Sequence, residues 1–189
     1  MLALLAYANS FHAGFVFDNR HILLEDERLQ AVSLDNLQSI LTTEYWWPQQ
    51  GQGLYRPFTT LTYWLNYSVL GNADHPLGYH VVNALLHLIN TLLVYALARR
   101  LTSSRTESHR LACFAAGLFA VHCLATEAVT NIVGRADLLA ALSVLGGLMV
   151  YIRSAEKTGS PRAHGLIGLA VLAALGLFSK KTRWCCPPF

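Results

Sequence analysis

The chain has 189 residues, of which 53% are hydrophobic and 13% charged, with a net charge of +3 and a mean hydropathy of +0.36. Soluble proteins carry roughly 25% charged residues, so a water-facing globular domain is excluded and a polytopic membrane protein is indicated. The charge is small and scattered, with no basic stripe interleaved with aromatics, which argues against a nucleic-acid partner.

Met1 to Ala13 is apolar and short, and no basic stretch precedes it, so it reads as the end of a membrane helix rather than a cleaved signal. A span needs about 20 residues, and fewer precede the first charge, Asp18. Asp18 to Gly78 follows as an acidic, non-spanning loop. Within it Ser33 can cap a helix whose Leu34, Leu37, Ile40 and Leu41 share a face, predicting a helix along the membrane surface. Pro57 suits a helical first turn, and Tyr55, Phe58, Tyr63, Trp64 and Tyr67 are expected at the membrane interface, where aromatics collect.

Tyr79 to Leu101 is the clearest span, apolar apart from Asn83, His87 and Asn90 before it ends at Arg99 and Arg100. Those polar residues fall at i, i+4 and i+7 on one face, which is expected to look into a bundle. His87 reads as a satisfied interior histidine, because no second metal-binding group sits at a matching position. Arg99, Arg100, Arg105 and Arg110 form one basic loop, and Arg153, Lys157 and Arg162 a second. The positive-inside rule places both loops in the cytoplasm. Two spans are then expected between them, Leu111 to about Val121 and Leu138 to Ile152, with the intervening stretch as an outer turn.

That turn is the unusual part of the chain. If Leu124 to Ala136 is one helix, Leu124, Ala125, Ala128, Val129, Ile132, Val133 and Ala136 lie on one side. Glu127, Asn131 and Arg135 recur every four residues on the other, with His122 before and Asp137 after. Ionisable groups are costly in lipid and should face water, a cavity or one another. Two readings stay open: a solvated interfacial helix with a Glu127–Arg135 ion pair, or part of a site. On this topology Asp18, Arg56, His122, Glu127, Arg135 and Asp137 emerge on one face of the membrane. His164 to Phe178 starts a further span, giving an all-α bundle of about five spans, the first and last incomplete.

Cys113, Cys123, Cys185 and Cys186 have neither paired CxxC spacing nor a histidine at zinc-finger distance, so no metal site or disulfide framework is implied. The tail after Lys180, KTRWCCPPF, has no periodicity. It is expected to be aberrant and frame-shifted: if Thr182 to Cys186 are encoded ACG CGG TGG TGC TGC, the shifted frame reads Asn-Ala-Val-Val-Leu, a membrane-helix start. The expected division is a partial transmembrane domain over residues 1–180 and a tail over 181–189.

Four blocks carry a resemblance: FVFDNRHILLEDERLQ, YRPFTTLTYWLNY, HPLGYHVVNALLHLINTLLVYALARRL and FAVHCLATEAVTNIVGRADLLAALSVLGGLMVY. In this order they resemble the membrane half of the transmembrane and tetratricopeptide-repeat-containing proteins, GT-C glycosyltransferases related to protein O-mannosyltransferases. The resemblance runs from about Phe15 to Lys180 and implies a truncated GT-C-like bundle. It further implies transfer of a sugar, typically mannose, from a polyprenyl-phosphate donor to a protein Ser or Thr hydroxyl on the outer or lumenal side. No cofactor beyond that lipid-linked donor is implied, and the partners are membrane lipid, donor and acceptor protein.

By position, Asp18 would be the general base, taking the acceptor hydroxyl's proton. The family's second Asp is Asn19 here, which weakens any claim of divalent metal. The phosphate leaving group calls for cations: Arg56 and Arg135 first, because guanidinium pairs with phosphate bidentately, then His80 and His122. Glu127 would position acceptor, sugar or an arginine, with Asp137 beside it. The family's His-Pro is His122-Cys123 in this chain. The fragment is expected to be inactive alone, since later spans close the family's site. The host membrane is expected to be a bacterial inner membrane or the endoplasmic reticulum. The competing classes are a transporter, with Asn83, His87 and Asn90 lining a route, and a structural membrane protein.

Overall fold

The computed structural model describes residues 2–49, 53–155 and 160–180. The expected tail over 181–189 lies outside them. The described residues are helical without strands. α1 (Leu2–Ala6) is a single turn, prolonged by a 3-10 segment over Ala8–His12. α2 (Leu34–Thr42) starts where Ser33 Oγ accepts from the Asn36 N–H at 3.0 Å, the cap its sequence predicts. α3 (Pro57–Trp64) has its proline in the first turn and passes into a π-helical turn over Leu65–Val69. α4 (Pro76–Leu101), α5 (Ser108–Val121), α6 (Ala125–Thr130), α7 (Arg135–Ala155) and α8 (Ser160–Lys180) complete the order.

Three helical stretches are long and apolar enough to cross a membrane: Pro76–Leu101, Ile132–Ala155 and Ala163–Lys180. At 1.5 Å per residue α4 reaches about 39 Å, more than a hydrocarbon core of about 30 Å. The expectation of a span over Leu111 to about Val121 is revised, since 14 residues of α5 reach only about 21 Å. Its level beside α4 is set at both ends. Ser108 Oγ donates to the Arg99 carbonyl at 3.2 Å, and the His87 Nε2 lies 3.1 Å from the Ala120 carbonyl. α5 therefore runs antiparallel to the C-terminal part of α4, and the N-terminal turns of α4 extend beyond it.

The polar face of α4 is buried as expected. Asn83, His87 and Asn90 are at most 1% exposed. Asn83 Nδ2 donates to the Asn131 and Ile132 carbonyls, and Asn90 Nδ2 to the Leu138 carbonyl at 3.0 Å. His87 stacks on Phe119 and meets Tyr7 edge-on. These contacts align α7 parallel to α4. α8 returns antiparallel to α7, held close by small residues: a Cβ on Gly176 would lie 2.9 Å from Ser143 Cβ.

The acidic loop folds into a layer with its own core of Ile22, Leu23, Leu29, Ile40, Tyr45, Tyr63, Tyr79 and Ile132. Asp26 and Arg28, both buried, form an ion pair at its centre, and Arg28 also donates to Thr43 Oγ1 and the Glu44 carbonyl. Tyr63, expected at the lipid interface, is fully buried here instead. Of the expected α2 face, Ile40 alone is buried, while Leu34 is 83% exposed.

Candidate functional site at the outer edge of the bundle

The expected single helix over Leu124 to Ala136 is broken. α6 ends at Thr130, Asn131 takes an extended conformation, Ile132–Gly134 makes one 3-10 turn, and α7 starts at Arg135. Gly134 permits this fold-back, because a Cβ there would lie 2.6 Å from the Ala128 carbonyl oxygen. The break turns Arg135 away from Glu127. Glu127 is exposed, whereas Arg135 is the largest fully buried side chain.

The guanidinium of Arg135 is ringed by neutral oxygens. Nε donates to Asn83 Oδ1 at 2.9 Å, Nη1 to Asn66 Oδ1 at 2.8 Å and the Thr62 carbonyl at 3.2 Å, and Nη2 to the Tyr79 carbonyl at 3.1 Å. The rings of Tyr63 and Tyr79 lie 4.9 and 5.8 Å from its centre. It thus ties α3, α4 and α7 together, and the Glu127–Arg135 pair is not formed. Above it, Tyr45 sits under Arg56, whose guanidinium centre is 5.1 Å from the ring. Burial pushes the Tyr45 phenol well above its ordinary pKa, with the Tyr63 phenol adding to the shift and Arg56 opposing it. Burial also raises Tyr63, against the pull of Arg135.

Arg56 caps α3 at the edge where α8 ends. Thr59 Oγ1 donates to the Ser179 carbonyl at 2.9 Å, and Tyr55 and Phe58 both pack on Phe178 at 6.2 Å between ring centres. The next residue, Lys180, forms an ion pair with Asp137. Arg56, Asp137 and Lys180 therefore share one edge. Below them a groove of about 820 Å³ runs between α7 and α8, lined by residues such as Val144, Leu148, Leu172, Ala173 and Leu177, with Lys180 at its outer end.

Asp18 is exposed, one residue before the buried Asn19. Asn19 Oδ1 accepts from the Val133 N–H at 3.1 Å, which fastens the Asp18 segment to the turn ahead of Arg135. His80 is buried with Nε2 3.2 Å from the Ala13 carbonyl. His122 is exposed; its Nδ1 accepts from the Leu124 N–H, and its carbonyl from Tyr7 Oη at 3.2 Å. Among the described residues no hydrogen bond or ion pair joins the side chains of Asp18, His122 or Glu127 to another member of the set. Nor do three or more His, Cys, Asp or Glu gather as a metal-binding group among them.

Residues 56–188 match the family model for dolichyl-phosphate-mannose-protein mannosyltransferases. The chain belongs to this family. It is 36% identical to Protein O-mannosyl-transferase Tmtc2 of Drosophila melanogaster over 96% of its own length and 19% of that protein. Against Protein O-mannosyl-transferase TMTC4 of Homo sapiens the identity is 34%, over 86% of this chain and 23% of the relative. The mannosyltransferase-family chain thus spans about a fifth of the length of the curated relatives it matches. No solved structure matches it. Sequence reasoning passed over Lys180 and the role of Asn19. A lysine closing an apolar run was a visible signal, but its partner Asp137 stands 43 positions away.

Proposed function

We propose that this chain is the donor-binding and base-bearing part of a multi-pass membrane O-mannosyltransferase. In that protein, mannose passes from a polyprenyl phosphate to a Ser or Thr hydroxyl on the outer or lumenal side. The observation carrying this reading, beside family membership, is Lys180 at the outer end of the apolar α7–α8 groove, on the edge where Thr59 of α3, the helix that Arg56 precedes, bonds to the end of α8. A polyprenyl chain suits such a groove, and its phosphate suits the cations above it. Asp18 removes the hydroxyl proton as the oxygen attacks the anomeric carbon and the lipid phosphate departs. Negative charge growing on that phosphate is met by Arg56 and Lys180, with Asp137 orienting the lysine. Arg135 holds the framework, since its donors are occupied by protein oxygens. Glu127 and His122, exposed on the outer turn, and the buried His80 flank the acceptor side.

The transporter reading is weaker. Asn83, His87 and Asn90 each contact backbone carbonyls, an arrangement of helix packing rather than of a solvated path. Alone, the chain is inactive in this proposal, because only 6% of the residues in the Ala163–Lys180 span are buried, which leaves that helix largely unpartnered. The test is Asp18→Asn carried in a full-length relative and assayed for transfer from polyprenyl-phosphate mannose. Turnover falls by about 100-fold or more if Asp18 is the base. Wild-type turnover would remove it.

A further inference from the structure

Phe17 is held in a conformation that its residue type resists. The Asn19 N–H donates to the Val16 carbonyl at 3.1 Å, closing a tight turn with Phe17 and Asp18 as its central residues. Phe17 has a φ of +47°, a left-handed value that Gly, Asn or Asp takes at such a turn position and a bulky side chain rarely does. Packing does not offset the strain, because Phe17 is 93% exposed. The backbone around it enforces the turn instead. The Ala13 carbonyl meets His80 Nε2, Phe15 packs edge-on against Tyr79, and Asn19 Oδ1 accepts from the Val133 N–H, so the segment is fastened on both sides of the turn. A strained residue that its neighbours impose and its own contacts do not use points to a function.

Its place in the chain narrows the ligand. Phe17 and Asp18 are adjacent at the tip of one turn, and both are exposed. Asp18 and the exposed Arg20 beside the ring are unsuited to a lipid anchor. An aromatic face next to a base for sugar transfer has a more particular use. Glycosyl transfer builds positive charge on the anomeric carbon and ring oxygen, and a cation over an aromatic face is stabilised by the ring quadrupole. The same face suits the C–H side of a hexose ring before reaction. We propose that Phe17 is a platform for the hexose of the lipid-linked donor, lying against the sugar while Asp18 takes the acceptor's proton. This rests on the reading of Asp18 as the base.

Two measurements test it. In this chain, Phe17→Asn exchanges a residue that resists the left-handed turn for one that accepts it, so the melting temperature in detergent rises. Transfer is followed at saturating polyprenyl-phosphate mannose in a full-length relative into which Phe15–Arg20 of this chain is grafted. Phe17→Leu keeps the apolar bulk and the strain but removes the aromatic face, and kcat falls about tenfold. Phe17→Tyr keeps the face and stays within about twofold of the unsubstituted graft. Full activity of Phe17→Leu would overturn the platform, since bulk alone, as at a lipid anchor, would then suffice. A melting temperature not raised by Phe17→Asn would remove the strain and overturn it too. Asp18→Asn in the same graft separates this inference from the reading beneath it. An inactive Asp18→Asn with a fully active Phe17→Leu removes the platform alone, and full activity of both removes the base as well.

Discussion

Arg135 Nε and Asn83 Oδ1, 52 residues apart, meet at 2.9 Å in a space where both side chains are fully buried. The bond joins the first turn of α7 to the polar face of α4. It converts an arginine that looks like a phosphate ligand into the pin of the outer layer. Replacing it should therefore be a stability lesion first. Arg135→Gln leaves Asn83, Asn66, Thr62 and Tyr79 oxygens without donors, and a loss of about 3 kcal/mol is expected. Arg135→Lys recovers little, because a lysine cannot fill a planar fork. Thermal unfolding in detergent reads this, and a variant as stable as the wild type would contradict the assignment.

Asn19 stands where the resemblance implies a second acid, and its oxygen accepts from the Val133 N–H. Asn19→Ala should cost about 1–2 kcal/mol. In a full-length relative it should also slow transfer about tenfold or more by loosening Asp18. Transfer kinetics at saturating donor check this, and an unchanged rate would mean that Asp18 needs no such anchor.

The fold-back between α6 and α7 depends on Gly134, whose missing Cβ is replaced by the backbone of Glu127 and Ala128. Gly134→Ala is expected to destabilise by about 1–3 kcal/mol. Protease susceptibility of the outer turn should rise with it; equal resistance in mutant and wild type would argue against a forced close approach.

Topology has a direct readout. With the four native cysteines replaced by serine, Asp18→Cys and Glu127→Cys should react with an impermeant maleimide from one face of sealed vesicles. Arg105→Cys should react from the other. Labelling of positions 18 and 127 from opposite faces would separate the base from the outer turn and end the shared-site proposal.

Alkaline pH should loosen the outer layer. Burial raises the pKa of the Tyr45 and Tyr63 phenols, so the folded chain keeps their protons where the unfolded chain releases them. Stability is therefore full below the ordinary tyrosine pKa of about 10 and declines as pH rises through and beyond it. Melting temperature followed across that range should fall, and Tyr45→Phe or Tyr63→Phe should flatten the fall. A slope identical in both variants would place the titration elsewhere.

Hydropathy and helical period were enough to read the membrane class, the length of α4, the burial of Asn83, His87 and Asn90, and the Ser33 cap. Each depends on neighbours within a turn or two, so the signal is local. The same period misplaced Arg135, because a single extended residue, Asn131, resets the register and turns a cation expected on one face with Glu127 into a large, fully buried side chain. Asn19 with Val133 and Asp137 with Lys180 were equally unreadable, being joined across 114 and 43 residues. Local sequence determined which segments are helical and greasy. Only the packing of α3, α4, α7 and α8 decided which charges are structural and which stand at the groove mouth, since burial and partnership are properties of the neighbours that tertiary structure brings in.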